Sequence, residues 1–348
     1  MTLYNFAPGP SVLAPAVKEK LAAMVLDWAD GLSLAEYPHR SPAFEALLEQ
    51  TRQGVRRLLN ISEDYEVLFL MGGARQQFDW IARNFLKKGA LYWVSGHWSK
   101  MAAEMAKPFG EVTSLETINE TTEVTHADYA FVCVNETIDG IEFQHLPKLS
   151  VPWVVDASSN IFSRPMDMKG VGLLMAGAQK NAGIAGVTIV VIHKDFLAKA
   201  EVDEKDHLYS YKAHAKAGSM LVTPPTLAIG AVKCVLDWIE EMGGIEAMER
   251  VNSQKAALIY KTIDESHGFY RPRVEGENRS RMNVVFDLPN ETLLEEFLKG
   301  AQARGLLNLR GHRSVGGIRA SIYNAMPIEG VKALVDWMQT FQTKWAEK

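Results

Sequence analysis

An aspartate and a lysine in the middle of the chain are the residues whose types and setting most favour chemistry. Asp156 ends the apolar run Trp153–Asp156, and Lys180 follows the apolar run Leu173–Ala176 after a short turn. In open α/β sheets, ligands bind at the carboxyl ends of the strands, so the carboxylate and the amine are expected on one sheet edge. Small residues dominate positions 176–183, where a ligand and the backbone can approach each other closely.

This pair suits pyridoxal phosphate. A lysine amine forms a Schiff base with that cofactor, and an aspartate beside the ring nitrogen keeps the nitrogen protonated. The ring then accepts electrons when a proton leaves the α-carbon of an amino acid, and the displaced lysine can carry that proton. We therefore predict a pyridoxal-phosphate enzyme with Lys180 and Asp156 as catalytic residues. The alternative is a surface lysine and an aspartate that caps a helix, but a surface lysine needs no small neighbours.

Two further segments offer contacts to the phosphate and the ring of this cofactor. Residues 71–75 (MGGAR) follow an apolar run and open a helical pattern, and free amides at a helix N-terminus bind anions. Their spacing is neither G-x-G-x-x-G nor a P-loop, which disfavours a dinucleotide or ATP. A tight turn without a ligand remains an alternative. Trp98 follows the run Leu91–Ser95 and can stack on the pyridine ring, or it can be a core residue.

Alternating strand and helix patterns must position these residues, and the alternation predicts a layered α/β fold. Several of the strand patterns are apolar throughout, as in a parallel sheet that is covered on both faces. The predicted strands are Glu66–Met71, Leu91–Ser95, Tyr129–Val134, Trp153–Asp156, Leu173–Ala176 and Val187–His193. The predicted helices are Ala74–Leu86, Ser99–Lys107, Pro225–Met242 and Ile245–Ser266.

The pattern changes near residue 250, where a smaller α+β unit is predicted. Its strand-like runs are Met282–Leu288, Leu306–Leu309 and Ile318–Tyr323, and its helical patterns are Glu291–Arg304 and Glu329–Thr343.

Composition excludes several classes of protein. The chain has 348 residues, 23% of them charged, and a net charge of −5 with scattered Lys and Arg, which does not indicate a nucleic-acid partner. No apolar stretch approaches the roughly 20 residues that span a bilayer, and residues 1–10 lack a secretory pattern, so a cytoplasmic protein is expected. Cys133 and Cys234 lie in apolar or helical runs and favour buried, inert thiols over a disulfide or a metal site.

Taken together, these residues resemble the phosphoserine aminotransferase family, which comprises class V, fold-type I pyridoxal-phosphate enzymes. The resemblance runs almost end to end, through blocks in one order: His39-Arg40, Gly72-Gly73, residues 135–140 (NETIDG), residues 156–159 (DASS), residues 176–181 (AGAQKN), residues 223–226 (TPPT), residues 278–283 (NRSRMN) and residues 311–327. It implies a large cofactor-binding domain over residues 16–250 with a mostly parallel seven-stranded sheet. Residues 1–15 and 251–348 would form the small domain.

The resemblance also implies how the cofactor is held. Lys180 would form the Schiff base, Asp156 would pair with the ring nitrogen and Trp98 would stack on the ring. Thr137 would hydrogen-bond the cofactor near its phenolic oxygen. The phosphate contacts would be the backbone amides of Ala74 and Arg75, the side chain of Gln179, and Thr223 from the neighbouring subunit of a homodimer with shared active sites.

A cationic substrate site is implied as well, because phosphoserine carries a phosphate and a carboxylate. The planar fork of arginine suits both anions. The candidates are His39, Arg40, Arg75, His312, Arg313 and Arg319. In the family the His-Arg pairs and the early arginine bind mainly the phosphate, and the position of Arg319 holds the α-carboxylate. Solvated surface charges are the alternative, which two His-Arg pairs in a mildly acidic chain disfavour.

The implied reaction is a ping-pong transamination between glutamate and 3-phosphohydroxypyruvate, with a related phosphorylated keto acid of the vitamin B6 pathway as a further expected substrate. A small-amino-acid aminotransferase would not need two His-Arg pairs, and a cysteine desulfurase needs an exposed reactive cysteine. A nucleotide-binding dehydrogenase is disfavoured, because this chain lacks the glycine fingerprint of that class. A catalytically silent cofactor-binding protein stays open.

Three positions depart from the family pattern. Val222 stands where many relatives have an asparagine before Thr-Pro-Pro, so one contact to the cofactor phosphate is expected to be missing. Ala74 replaces a third glycine, and its backbone amide can still donate. Pro8 replaces a serine of some relatives, which removes a hydroxyl and an amide donor.

Overall fold

A seven-stranded sheet lies at the centre of the chain in the computed structural model, which describes residues 2–346. The strands of this and the smaller sheets are β1 (Tyr4–Asn5), β2 (Tyr65–Met71), β3 (Ala90–Trp93), β4 (Val112–Leu115), β5 (Tyr129–Cys133), β6 (Asn135–Glu136), β7 (Ile141–Glu142), β8 (Trp153–Asp156), β9 (Val171–Gly177), β10 (Val187–His193), β11 (Arg271–Pro272), β12 (Asn283–Asp287), β13 (Leu306–Leu307) and β14 (Ile318–Ser321). The helices are α1 (Pro15–Leu26), α2 (Pro42–Leu59), α3 (Ala74–Phe85), α4 (His97–Ala106), α5 (Lys194–Leu197), α6 (Tyr211–Lys216), α7 (Thr226–Glu241), α8 (Gly244–Asp264), α9 (Glu291–Gln302) and α10 (Ile328–Ala346).

The order of the large sheet is β2-β10-β9-β8-β5-β3-β4. Only β10 runs against its neighbours, and the pairs from β9 to β4 are all parallel. The predicted α/β fold with a mostly parallel seven-stranded sheet is therefore confirmed. The strand patterns located six of the seven strands and missed β4, an edge strand whose Thr113 and Ser114 are exposed.

Both faces of the large sheet are covered, which explains why its strands are apolar throughout. Along β10, Ile189 and Val191 face one core, which also contains residues of α2 and α7. Val190 and Ile192 face the other, which also contains residues of α3 and α4. Successive side chains of a strand point to opposite faces, so two covered faces leave no position for alternating polar residues.

A third core lies in the C-terminal part of the chain, between the antiparallel sheet β11-β12-β14 and helices α8, α9 and α10. Phe6 belongs to this core, and Tyr4 of β1 pairs in parallel with Leu306 of β13. The start of the chain therefore packs with its end. None of the helices in the described range combines the length and apolarity needed to cross a membrane.

Buried asparagines join this third core to the loops that follow the large sheet. Asn181 Oδ1 accepts a hydrogen bond from the backbone of Asn324 at 3.0 Å. Asn135 Nδ2 donates to Asn283 Oδ1 at 2.8 Å. Since Asn181 is the neighbour of Lys180, the C-terminal part of the chain helps to hold the turn that carries the predicted catalytic lysine.

Candidate active site

Asp156 and the turn before Lys180 lie at the same edge of the sheet, because β8 and β9 are parallel neighbours that end there. Asp156 is buried, and its Oδ1 accepts hydrogen bonds from the backbone and the hydroxyl of Ser158 at 2.9 and 2.6 Å. Burial raises the pKa of the Asp156 carboxyl, and the Lys180 ammonium and Ser158 oppose that rise. Both bonds go to Oδ1, and no hydrogen bond to Oδ2 is found among the described residues.

The turn that carries Lys180 is fixed by the N-terminal segment. The Ser11 backbone donates to the Gln179 carbonyl at 2.9 Å, and its hydroxyl donates to the Lys180 carbonyl. Gly9 packs on the lysine stem, where a Cβ would come within 3.2 Å of Lys180 Cγ. The half-buried Lys180 ends with Nζ 5.7 Å from the centroid of the Trp98 ring. The amine and the indole therefore border one space.

Trp98 is held from several sides. Its Nε1 donates to Thr137 Oγ1 at 3.0 Å, and its backbone donates to Glu136 Oε2 at 2.9 Å. Glu136 Oε1 also accepts from the backbone and the hydroxyl of Ser99, both at 2.7 Å. Gly96, the N-cap of α4, has no side chain to cap the helix, so the distant Glu136 carboxylate pairs the first amides instead.

Glu136 is a site residue that the sequence patterns did not single out. Burial raises the pKa of this carboxyl to about 7, against the bonds from Ser99 and Trp98 that lower it. A Cβ on Gly96 would lie 2.7 Å from the Glu136 carboxyl carbon, so glycine is required for the close approach. The only signal in the sequence was the block at residues 135–140, which carried part of the family resemblance.

The predicted phosphate contacts lie together at the start of α3. The Gly73 N-cap has no side chain to bond the first amides, so those of Ala74 and Arg75 are open to an anion. Gly177 brings Gln179 beside this helix start, since a Cβ on Gly177 would lie 2.8 Å from Gln179 Oε1 and 3.4 Å from the Cβ of Ala74. The side chain of Arg75 is exposed.

The space beside Lys180 and Trp98 is called the cleft from here on. Arg319 brings a buried cation to it, because Arg319 binds the carbonyl of Thr137, whose hydroxyl accepts from the Trp98 indole. This arginine lies on β14 and is 7% exposed. Its Nη1 donates to the Thr137 carbonyl at 3.2 Å, and its Nε has no hydrogen-bond partner within the described chain. Burial lowers the pKa of this guanidinium. A buried donor without a partner carries a free-energy cost of about 1–3 kcal/mol, which a bound anion removes.

His312 and Arg313 lie close to Arg319. Burial and the positive charges of Arg319, His97 and Arg313 lower the pKa of His312, and Asp139 opposes them. The ring of His312 lies 5.9 Å from the ring of His97, centroid to centroid. The positive charge on this side of the cleft therefore comes from Arg319 and Arg313, and the lowered pKa favours a neutral His312.

His39, Arg40 and Thr223 make no recorded contact with Asp156 or Lys180 among the described residues. His39 and Thr223 line one depression together with Gly186, and the lining of that depression does not include Asp156 or Lys180. Arg40 is exposed beside His39, with 3.4 Å between Arg40 Nε and His39 Nε2. One copy of the chain thus has two groups of predicted site residues.

Both cysteines are free and buried, as predicted. Burial raises the pKa of the Cys133 and Cys234 thiols, so neither has the properties of an exposed, reactive nucleophile. The geometry therefore disfavours a desulfurase.

Comparison with known proteins agrees with this chemistry. The family model for class-V aminotransferases matches residues 3–334. A phosphoserine aminotransferase of Acidithiobacillus ferrooxidans is 44% identical, in an alignment that covers 98% of each chain. The solved phosphoserine aminotransferase of Bacillus circulans subsp. alkalophilus is 40% identical, covers 99% of each chain and superposes with a TM-score of 0.93. A pyridoxal-phosphate-bound one from Trichomonas vaginalis is 36% identical, with a TM-score of 0.91 over 97% of this chain and 100% of the other.

The site and fold thus define a pyridoxal-phosphate-dependent aminotransferase, and the predictions of enzyme class and cofactor are confirmed. Within that class, the chain belongs to the class-V family and to its phosphoserine aminotransferases, as the resemblance implied.

Proposed function

We propose that the chain transfers an amino group between glutamate and 3-phosphohydroxypyruvate, which gives 2-oxoglutarate and phosphoserine. The observation that carries this proposal is the cluster around Trp98. The Lys180 amine lies 5.7 Å from the Trp98 ring, Arg319 binds the carbonyl of Thr137, whose hydroxyl accepts from the indole, and His97 beside Trp98 faces the ring of His312. A substrate with an α-carboxylate and a distal phosphate matches that distribution of charge.

The cleft fits pyridoxal phosphate. Asp156 Oδ2 would accept the ring N–H, Trp98 would stack on the ring and Thr137 would bond the phenolic oxygen. The amides of Ala74 and Arg75, with Gln179, would hold the phosphate. The bonds of Ser158 to Oδ1 and of Thr137 to the Trp98 indole support this fit, because they fix both side chains before any ligand binds. The bound cofactor supplies a ring that accepts electrons from the α-carbon of the substrate.

Lys180 would act as the acid and base. Its Nζ would take the proton from the α-carbon of the amino donor and would return a proton to the α-carbon of the keto acid in the second half of the exchange. The half-buried stem, packed against Gly9 and anchored through Ser11, supports the proposal, since it aims Nζ along the face of the cleft beside Trp98. Asp156 would hold a proton on the ring nitrogen through its carboxylate.

Arg319 would bind the α-carboxylate of either substrate, and its unpaired Nε supports that role. His312, Arg313 and Arg75 would bind the distal phosphate or the side-chain carboxylate of glutamate. Glutamate and the phosphorylated keto acid bind in turn during a two-step transamination, so one cationic site must accept the distal anion of each.

We further propose a homodimer in which His39, Arg40 and Thr223 complete the cleft of the partner subunit. His39 and Thr223 line a depression that does not include Lys180, and Arg40 lies beside His39, which supports this proposal because all three belong to the same predicted site. Met71, 53% exposed directly before the glycines of the phosphate turn, is an apolar side chain that a second copy could cover.

Mixed dimers test the shared sites. Each proposed site takes Lys180 from one subunit and Arg40 from the other. A mixed dimer of the Lys180→Ala and Arg40→Ala variants therefore has one site with both substitutions and one intact site. Unfolding and refolding the two variants together should restore roughly a quarter of the wild-type activity, if copies pair at random in a twofold dimer. Refolded mixtures no more active than the separate variants would contradict shared sites.

Other predictions await a test. They are the division into residues 16–250 and residues 1–15 with 251–348, the cytoplasmic location, and the substrate of the vitamin B6 pathway. The separate core of the C-terminal helices, which includes Phe6, supports the division.

The proposed reaction is tested by mixing the cofactor-loaded enzyme with glutamate and 3-phosphohydroxypyruvate and measuring phosphoserine. Pyruvate, which lacks the phosphate, is the matched control acceptor. We expect a kcat/KM at least roughly a hundredfold higher for the phosphorylated acceptor, because each charge-assisted contact to the phosphate adds about 1.5–3 kcal/mol. Equal values for both acceptors would point to a small-substrate aminotransferase.

A further inference from the structure

His97 lies in the cationic side of the cleft and has no role in the assignments above. It is the first residue of α4, directly before Trp98. Its backbone is held by Asp139 Oδ2 at 3.3 Å, so the start of the helix fixes where the imidazole lies. The imidazole ring meets the edge of the Trp98 ring at 5.2 Å, with the two planes at 90°.

The ring of His97 also faces the ring of His312, at 5.9 Å and an interplanar angle of 44°. The two residues are 215 positions apart, and they come from α4 and from the loop before β14. His312 is positioned separately, by a 2.7 Å bond between its Nδ1 and Ser314 Oγ. Both imidazoles are partly exposed, so both can reach a ligand in the cleft.

The charges around this pair are unbalanced. Arg319, Arg313 and His97 each act on His312 as positive neighbours, and Asp139 is the one opposing carboxylate among the causes of its shift. Converging positive charges repel one another, and the repulsion is relieved when an anion binds between them. A dianionic phosphate relieves more of it than a single carboxylate does.

We propose that His97 is a specificity-determining residue that donates, together with His312, to the phosphate of the phosphorylated substrate. The inference rests on the proposed function, since the phosphate belongs to its substrate. Arg319 then binds the α-carboxylate, and the two imidazoles bind the phosphate at the other end of the substrate. Because His97 contacts Trp98, a phosphate bound to His97 would lie next to the residue proposed to stack on the cofactor ring.

A packing role is the competing explanation, because His97 touches Trp98. His97→Phe distinguishes packing from phosphate binding, since phenylalanine keeps an aromatic ring beside the indole and lacks the nitrogen donors. His97→Ala removes both the ring and the donors. His126→Ala is the control, because this histidine is exposed in the turn before β5.

The measurement is the rate of the half-reaction of the cofactor-loaded enzyme with O-phospho-L-serine and, separately, with L-serine. We expect His97→Phe and His97→Ala to lower kcat/KM for phosphoserine about tenfold or more, the value of one charge-assisted bond. L-serine should change less than about threefold, since it has no phosphate. A His97→Phe enzyme with the wild-type ratio of the two rates would overturn the proposal.

A double-mutant cycle with His312→Ala adds a second criterion. If both imidazoles bind one phosphate, the loss in the double variant should be clearly smaller or larger than the product of the single losses. Independent losses would contradict a shared ligand.

Calorimetric binding of inorganic phosphate to the cofactor-loaded enzyme separates this inference from the proposed function. We expect the dissociation constant to rise about tenfold in His97→Phe. If the wild type fails to use phosphoserine while phosphate binding still depends on His97, the proposed substrate is wrong and the anion site stands. If the wild type uses phosphoserine and neither measurement depends on His97, the proposed function stands and this inference fails.

Discussion

Arg319 and Lys255 are both buried basic side chains, and they differ in how their donors are used. Burial lowers the pKa of Lys255 to about 7. Lys255, on α8, is fully buried, and its Nζ donates to the carbonyls of Ile322, Tyr323 and Met326 at 2.9, 2.7 and 3.1 Å. Arg319 bonds the Thr137 carbonyl and leaves Nε without a partner among the described residues.

The difference supports a structural role for Lys255 and the proposed ligand-binding role for Arg319. Buried polar groups in proteins are nearly always paired, so an unpaired one calls for an explanation. The carbonyls around Lys255 belong to the loop directly after β14, and β14 carries Arg319. Lys255, whose donors are paired, therefore holds the segment next to the strand that carries Arg319.

Arg319→Ala should give the largest effect, on activity. Losing a two-pronged contact to the α-carboxylate should lower kcat/KM for phosphoserine by roughly two to three orders of magnitude. The free energy of unfolding should change by less than about 1 kcal/mol, because the removed charge was buried and incompletely paired. Kinetics and urea unfolding check the two values. A large loss of stability with little loss of activity would reverse the comparison.

Lys255→Met should show the opposite behaviour. Methionine fills the space but leaves three or more carbonyls without a donor, so the free energy of unfolding should fall by about 3 kcal/mol. Lys261→Met, an exposed position on the same helix, is the control and should cost less than about 0.5 kcal/mol. Urea unfolding at saturating cofactor measures both. Stability equal to that of the control would mean that the buried ammonium contributes little.

Glu136→Gln tests a second buried and fully hydrogen-bonded group through the pH dependence of stability. Burial raises the pKa of Glu136 to about 7 from 4.5, so the folded chain holds a proton that the unfolded chain has lost between these values. The wild type should therefore lose stability as pH rises from about 4.5 to 7, and this loss should be smaller in Glu136→Gln. Unfolding free energies at pH 5 and pH 7.5 compare the two proteins. Parallel pH profiles would contradict the raised pKa.

Val222→Asn should give the smallest effect, on the ligand side of the comparison. The change adds an amide donor where the family resemblance implies one, and the dissociation constant of the cofactor should fall by roughly threefold to tenfold. Equilibrium titration of the cofactor-free protein measures it, with Val222→Thr as a smaller donor for comparison. Unchanged affinity would mean that other donors already satisfy the phosphate.

Local patterns predicted the parts of the molecule that local sequence determines. β8 and β9 are buried on both faces, so their apolar runs revealed them and, with them, Asp156 and Lys180. β4 was missed because an edge strand needs no apolar run. Helix α4 begins two residues before its predicted start, since its first amides are capped by Glu136 from the distant strand β6.

Long-range geometry limited the prediction of the site in the same way. The pairing of His97 with His312, and the unpaired Nε of Arg319, depend on contacts between segments far apart in sequence. No spacing along the chain encodes them. The position of His39 and Thr223 around a separate depression also appears only when the chain is folded.

We propose above all that Lys180 is the lysine that holds the cofactor opposite Asp156. Borohydride reduction of the cofactor-loaded enzyme, followed by mass spectrometry of its peptides, tests the claim directly, because reduction fixes the cofactor to the amine that binds it. The account predicts a pyridoxyl group on Lys180 and none in Lys180→Ala. A label on another lysine, or equal labelling of the Lys180→Ala variant, would contradict it.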